Sequence, residues 1–171
     1  MQTAWPASVE RVSSFLRDAG AEARLEEFPE GTESAADAAE AVGCALGQIV
    51  KSLVFLCDER PVLALVPGDR RGDPVKIARV VGATRARVAP PDVVERVTGF
   101  APGAVAPFAL ERIEAVLMDE TLLVQPLVWV GAGSARHMVG LSPGELRRLS
   151  RARPVDVVQD PPYDSPRRKE R

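Results

Sequence analysis

The chain has 171 residues, of which 46% are hydrophobic and 27% are charged, and its formal net charge is −2. This length and composition are typical of one globular domain that can bury a core, and the charge balance excludes a global basic field for nucleic acid while allowing a local basic face. Since no apolar run approaches membrane-spanning length and no basic-then-apolar leader opens the chain, we expect a cytoplasmic protein that does not bind membranes.

In chain order, the helical and alternating patterns predict a series of short elements. These are helix 8–20, strand 23–28, helix 34–42, strand 47–57, strand 61–66, helix 75–81, strand 85–88, helix 91–98, strand 113–118, a turn or short helix 119–124, strand 127–130, strand 136–139, helix 142–150 and strand 155–158. The clearest local signal is at the last helix, where Ser142 is the predicted N-cap, Pro143 the first helical residue and Glu145 the partner in a capping box.

The order of these elements predicts the fold class. Short helices and strands interleave without a long, regular βα alternation, and several strands follow one another as hairpins. We therefore expect an α/β (α+β) fold in which a mixed, largely antiparallel sheet or barrel is surrounded by short helices. No repeat or linker divides residues 1–158, which are predicted to form a single domain. Residues 159–171 are rich in proline and charge and are predicted to be a disordered tail.

Lys51 is the unusual residue of the predicted strand 47–57. The chain has three lysines, Lys51, Lys76 and Lys169, and the other 19 of its 22 cations are arginines. Lys51 interrupts an apolar run and shares a strand face with Ile49 and Leu53, where a charge is costly unless it is paired or lines a cavity. Two roles are open for Lys51. Either its aliphatic stem packs in the core while its ammonium group reaches solvent, or the ammonium group takes part in a functional site.

Two glycine-containing segments and one basic loop are the other candidate site elements. Small residues in 98–108 and 131–134 either form tight connections or let the backbone approach a ligand closely. The basic loop and the helix after it either contact a phosphate backbone or form a solvated surface; their cations are Arg70, Arg71, Lys76 and Arg79. No nucleophile–base pair is evident, and His137, beside Arg136, is more typical of a packed or surface histidine.

The cysteine and histidine content bears on metal binding. Cys44 and Cys57 form no CxxC pair, and His137 is the single histidine. These residues do not provide the ligands of a structural zinc site, and we expect no metal and no other cofactor. The two cysteines could form one disulfide, but their apolar contexts favour small buried hydrophobes.

The ordered set of motifs resembles the YbaK/EbsC family of aminoacyl-tRNA deacylases, which is related to the editing domain of bacterial prolyl-tRNA synthetases. The matching pieces are the alanine-rich helix 34–42, the segment 47–55 around Lys51, the segments 98–100 and 103–108, and the segment 131–136 that leads into 141–143. Their order and spacing agree over roughly residues 8–158. The family's loop often carries a second glycine where this chain has Ala104.

The resemblance implies hydrolysis of the ester that joins a wrong amino acid to tRNA, most often tRNA for proline carrying Cys, Ala or another small amino acid. It implies that Lys51 is the essential side chain, that no metal takes part, and that a ribose hydroxyl or a substrate thiol assists the attack in some members. Aminoacyl-tRNA is then the expected partner, with prolyl-tRNA synthetase a possible second one. Independently of the resemblance, the lack of a long exposed apolar element in the sequence favours a monomer. The substrate-binding residues implied or considered in this way are Gly103, Ala104, Pro107, Phe108, Gly131, Gly133, Ser134, Arg136 and His137. The alternative function is a non-catalytic module of the same fold that binds tRNA or a synthetase.

Overall fold

A computed structural model of the chain describes residues 4–160, and its strands form two sheets. The helices are α1 Ala7–Asp18, α2 Ala35–Val42, α3 Pro74–Val81, α4 Pro91–Thr98 and α5 Pro143–Ser150. The strands are β1 Ala23–Glu27, β2 Val50–Cys57, β3 Arg60–Pro67, β4 Ala86–Val88, β5 Ala115–Asp119, β6 Val128–Gly131, β7 His137–Leu141 and β8 Arg153–Val155. Two short 3₁₀ turns, Leu46–Gln48 and Glu120–Val124, precede β2 and follow β5.

The sheet topology confirms the predicted mixed, largely antiparallel architecture. The five-stranded sheet has the order β4-β2-β3-β5-β8 and the three-stranded sheet the order β1-β7-β6. Only the β3–β5 and β5–β8 pairs are parallel among the described strands. A single parallel bridge between Ile49 and Trp129 joins the two sheets beside the start of β2.

Three apolar clusters hold the sheets and helices together. The largest lies between the two sheets and includes Val54, Leu65, Val130 and Val139. A second cluster covers the outer face of the five-stranded sheet with α3, and a third places the alanines of α2 against Ile49, Trp129 and Met138. Small side chains on α2 allow this close approach, as expected for an alanine-rich helix. No helix among residues 4–160 combines the length and the apolar character that crossing a membrane requires.

The last predicted strand is displaced in the structure. The sequence predicts a strand over 155–158, whereas β8 covers Arg153–Val155. The Val157 amide donates to Asp119 Oδ1 at 3.1 Å, and the Val157 carbonyl accepts from the Asp73 amide at 2.8 Å. These long-range bonds tie Val157 to the end of β5 and to the loop before α3, so residues 156–158 do not continue β8, and Pro154 is tolerated because β8 is an edge strand.

The predicted disordered tail, 159–171, falls largely outside the described residues. Gln159 and Asp160 are described: the Gln159 amide donates to the Arg71 carbonyl at 2.8 Å, and Asp160 forms an ion pair with Lys76 at 3.0 Å.

The predicted capping box of α5 is only half formed. Ser142 Oγ accepts from the Glu145 amide at 3.1 Å, as a helix N-cap should. The Glu145 carboxylate, however, accepts from the Glu22 amide at 2.8 Å instead of from the Ser142 amide, and Arg148 donates to both of its oxygens at 2.8 Å. The Arg148 bonds and then the Glu22 amide lower the pKa of Glu145 from 4.5 to about 2.

Glu145→Gln is therefore expected to lower Tm by a few degrees at neutral pH. A depressed carboxylate pKa stabilises the folded state above the ordinary value of 4.5, and this stabilisation is lost as the pH falls towards about 2. Thermal unfolding at pH 7 and at pH 3 should show a smaller difference between wild type and variant at the lower pH. As a control, Glu114→Gln removes a solvent-exposed pair with Arg60 and should change Tm very little. A difference for Glu145→Gln that is independent of pH would contradict this account.

Candidate active site

Lys51 borders a pocket of about 260 Å³ that opens at the edge of β2. Four segments wall the pocket: residues 32–38 at the start of α2, residues 49–53, the loop 103–105 and the segment 131–138. The lining is more apolar than polar. Its polar side chains come from three segments: Lys51 and Ser52 from β2, Thr32, Glu33 and Ser34 from the segment that leads into α2, and Ser134 from the loop between β6 and β7. Such a concave apolar site with a few convergent polar groups is the usual form of a small-ligand site.

The charge on Lys51 is held at the pocket wall by the loop after β3. Its Nζ donates to the Arg70 carbonyl at 2.5 Å, and the side chain is half-buried. Burial lowers the pKa of Lys51, the Arg71 charge lowers it further, and Asp69 acts in the opposite direction. An ammonium group placed here can attract the oxygen of a bound ester, where charge develops during hydrolysis.

Gly131 brings the loop 103–106 against β6. A Cβ atom on Gly131 would lie 2.6 Å from the Val105 carbonyl oxygen, so glycine is required for this approach. Gly133 has φ +100° and a Cβ there would lie 2.7 Å from the Ser8 carbonyl oxygen. The Gly133 amide in turn donates to the Ala104 carbonyl at 2.9 Å. The two glycines thus fix the loop that carries Gly103 and Val105 into the pocket wall.

Ser134 connects the pocket to His137. Its Oγ lies 2.6 Å from His137 Nδ1 and accepts from the Arg136 amide at 2.9 Å. His137 is buried against Trp5, with ring centroids 5.6 Å apart, and its Nε2 has no hydrogen-bond partner among residues 4–160. Burial lowers the pKa of His137, Glu27 opposes this, and Arg136 adds to it. The imidazole therefore supports Ser134 from behind the pocket wall.

Of the site residues predicted from the sequence, the structure brings Lys51, Gly103, Gly131 and Ser134 to one pocket. The remaining predicted residues support the walls or point elsewhere. Phe108 stacks on Phe15 in the core, with centroids 5.5 Å apart, and Pro107 lines a cavity on another side of the molecule. Ala104 and Gly133 are buried behind the loop, and the side chain of Arg136 is exposed.

The four predicted phosphate-binding cations differ in the partners that they have in the structure. Lys76 is bound by Asp156 at 2.9 Å, by Asp160 at 3.0 Å and by the Val158 carbonyl at 2.8 Å. Arg70 donates to the Gln159 carbonyl at 2.7 Å. Arg79 lines a separate, more open groove of about 780 Å³ between α3 and β4. Arg71 is exposed, and its charge lowers the pKa of Lys51.

Several pocket residues were not predicted. They come from α2 and the segment before it, from β2 and from β7, and include Thr32, Ala38, Ser52 and Met138. Strand alternation would have placed Ser52 on the face opposite to Lys51. Both reach the pocket because it opens on the edge of β2 and not on one of its faces. No group of three or more His, Cys, Asp or Glu side chains within residues 4–160 is arranged to hold a metal ion.

Comparison with known proteins places this fold and pocket among editing domains. The aminoacyl-tRNA editing domain family matches residues 29–149, a span that contains every segment of the pocket. A solved structure described as that of a candidate trans-editing enzyme for prolyl tRNA synthetase is 37% identical, with a TM-score of 0.85 over 92% of this chain and 100% of that chain.

Curated relatives include both long and short proteins. The proline–tRNA ligase of Desulforamulus reducens is 32% identical over 114 residues, which are 66% of this chain and 20% of the ligase. The uncharacterized protein YwhH of Bacillus subtilis is 29% identical over 155 residues, which are 90% of this chain and 98% of that protein. The chain thus spans about a fifth of the length of the proline–tRNA ligases that it matches.

Proposed function

The chain belongs to the aminoacyl-tRNA editing domain family, and we propose that it is a trans-editing deacylase that hydrolyses the ester between tRNA and a wrongly attached amino acid. The observation that carries this proposal is the half-buried Lys51 ammonium at the wall of an apolar pocket within the matched region. An ester bound beside this charge would be activated without a covalent intermediate on the protein. Water adds to the ester carbonyl, the acyl–oxygen bond breaks, and the ribose oxygen leaves with a proton.

The size of the pocket supports a small amino acid as the group that is removed. Its volume of about 260 Å³ lies below the range of about 300–1,000 Å³ typical of pockets for drug-sized ligands. Val105 and Met138 give it apolar walls, which would suit alanine or cysteine. The similarity to proline–tRNA ligases supports tRNA for proline as the carrier. The protein would then correct the products of a prolyl-tRNA synthetase.

A panel of aminoacylated tRNAs tests the proposal directly. Wild-type protein is incubated with tRNA for proline that carries alanine, cysteine or proline, and the remaining ester is measured over time. We expect faster loss of alanine or cysteine than of proline, relative to hydrolysis without protein. Binding of the charged tRNA with no loss of any ester would instead support a non-catalytic tRNA-binding module.

The arrangement of the cations predicts an unequal response to charge removal. Arg71→Gln is expected to weaken tRNA binding and to reduce the slope of log K against log salt by about one, because a phosphate contact releases a counterion. Lys76→Gln should change the slope much less, since the Lys76 charge is already paired with Asp156 and Asp160. Fluorescence anisotropy over a salt series measures both slopes. Equal slopes for wild type and Arg71→Gln would argue against a phosphate contact by Arg71.

A further inference from the structure

The edge of β2 that faces the pocket lacks one rung of sheet pairing. On this side, β4 pairs with the later part of β2, from Phe55 to Cys57, and the Ala89 amide extends the ladder by donating to the Val54 carbonyl at 2.9 Å. At the other end, β6 reaches this edge through the bridge at Ile49. Among residues 4–160, no strand pairing is formed on this side at Ser52, between these two contacts.

The register of the sheet shows which groups the gap exposes. The Gly68 amide donates to the Ile49 carbonyl at 2.7 Å, so Ile49 and every second residue after it bond to β3. Antiparallel pairs alternate between hydrogen-bonded and non-hydrogen-bonded rungs, and Ser52 is therefore at a non-hydrogen-bonded rung with β3. Its N–H and C=O point to the opposite side, as those of Val54 do. That side is the pocket.

Two prolines explain why β4 does not fill the gap. Continuing the β2–β4 register beyond Val54 and Ala89 would bring Pro91 opposite Ser52. Proline has no N–H to donate, and at Pro90–Pro91 the chain turns away to begin α4. The gap is therefore encoded by the local sequence of another element.

The side chain of Ser52 is a second feature that marks this position. Its Oγ is buried and has no hydrogen-bond partner among residues 4–160. Ser52 nevertheless lines the pocket together with Lys51. A buried hydroxyl without a partner is costly in a folded protein, and its presence in the wall of a pocket marks the position as a candidate for ligand contact.

We propose that the aminoacyl group of the substrate occupies the missing rung at Ser52, as a single residue added to the edge of β2. Its α-ammonium donates to the Ser52 carbonyl, and its ester carbonyl oxygen accepts from the Ser52 N–H. This is the main-chain recognition of strand addition, reduced to one residue. The inference rests on the proposed function, because it assigns the groups that hold the ester in that reaction.

This arrangement has consequences for chemistry and for selectivity. The Ser52 N–H becomes a fixed donor to the oxygen on which negative charge develops, in the pocket that Lys51 also lines. Side chains of paired residues lie side by side on one face of a sheet, so the side chain of the bound amino acid would lie against Ser52 Oγ. The pocket volume of about 260 Å³ limits the size of that side chain, which agrees with a small amino acid as substrate.

Substitutions at Ser52 distinguish the contribution of its backbone N–H to the reaction from that of its side chain. Ser52→Pro removes the N–H but no bond to β3, and the same sheet already holds Pro61 and Pro67 at non-hydrogen-bonded rungs of β3. We expect kcat/KM to fall by about 10²–10³-fold, the usual cost of losing one oxyanion donor. Ser52→Ala keeps the N–H, and its kcat/KM should fall by about tenfold or less.

Leu53→Pro is the folding control, since Leu53 pairs with Ala64 and this change should unfold the protein. A folded Ser52→Pro variant with a loss no greater than that of Ser52→Ala would overturn the inference.

Substrate analogues test the same rung in the wild-type protein, whether or not Ser52→Pro folds. Propionyl-tRNA has a hydrogen in place of the α-ammonium of alanyl-tRNA. The acceleration over uncatalysed hydrolysis should be at least about tenfold smaller for propionyl-tRNA, because a charge-assisted bond is lost. Equal accelerations would overturn the inference.

A binding measurement distinguishes this inference from the proposed function. If wild-type protein cleaved neither ester, the proposed function would fail, and calorimetry with 3′-alanylamino-3′-deoxyadenosine and its propionyl counterpart would still test the rung. Tighter binding of the alanyl compound supports it, and equal binding or no binding of the two compounds overturns it.

Discussion

Replacing Lys51 with methionine is expected to lower kcat/KM for deacylation by about 10²–10³-fold, the range observed when a catalytic site loses one electrostatic donor. Methionine keeps an unbranched stem of similar length, so the strand face should still pack, but it has no ammonium to donate to the Arg70 carbonyl or to the ester. Lys51→Arg should fail as well, because a planar guanidinium cannot occupy the space of a compact ammonium. Single-turnover deacylation of alanyl-tRNA measures both variants.

The stability of the Lys51→Met variant distinguishes a lost charge from a damaged fold. Burial lowers the pKa of Lys51, so the folded state disfavours its charged form. This cost is present below the folded pKa and disappears as the pH rises towards the ordinary value of 10.5. Tm of Lys51→Met at neutral pH should therefore equal or exceed that of wild type. Full activity in this variant would refute the assigned role, and a large fall in Tm would show that Lys51 acts in folding.

The pH profile of the wild-type protein provides an independent check on the same charge. Deacylation should decline on the alkaline side at a pH below that of an unperturbed lysine, because burial and the Arg71 charge both lower the pKa of Lys51. Rates must be corrected for hydroxide-catalysed hydrolysis of the ester, measured without protein. The Lys51→Met variant should show no such decline in its residual rate.

Local sequence patterns were sufficient to predict most of the elements and one central residue of the site. Capping residues and period-two runs predicted the helices and strands to within a few residues, since both signals are carried by neighbouring side chains. Lys51 was identifiable because a charge within an apolar strand is costly. The local sequence alone shows that a lysine interrupts this apolar run, without knowledge of its contacts. The segments 98–108 and 131–134 were identifiable as candidates from their small residues, and the resemblance then gave Gly103, Gly131 and Ser134 an expected role in substrate binding.

The features that the sequence did not predict depend on contacts between distant segments of the chain. The ion pairs of Lys76 join residues about 80 positions apart, so the sequence alone could not show that its charge is neutralised. The role of Ser52 follows from a gap in pairing that is set by the prolines after β4 and by the bridge to β6. Alternation describes the two faces of a strand but carries no information about its edges. The position of β8 was likewise decided by Asp119, far from it in the chain.

Gly131→Ala is expected to reduce deacylation by about 10²-fold without changing any polar group of the pocket. The new Cβ would lie 2.6 Å from the Val105 carbonyl oxygen, 3.3 Å from the Val105 carbonyl carbon and 3.4 Å from the Ala104 carbonyl carbon. These are backbone atoms, so relief requires the loop 103–106 to move away from β6. Gly103 and Val105 would move with it, and a displacement of about 1 Å at a pocket wall can cost about 10²-fold in rate.

The same substitution should destabilise the protein by about 1–3 kcal/mol, the usual cost of overpacking. Gly144→Ala is the matched control, since a Cβ at Gly144 in α5 meets nothing within 4 Å and should leave Tm and activity unchanged or slightly raise Tm. Thermal unfolding and single-turnover deacylation distinguish the two variants. Gly131 contributes no side chain to the pocket, so this substitution tests only the position of the loop 103–106. A folded Gly131→Ala protein with wild-type activity would show that the position of this loop does not control the reaction. The active pocket would then have to be sought away from β6.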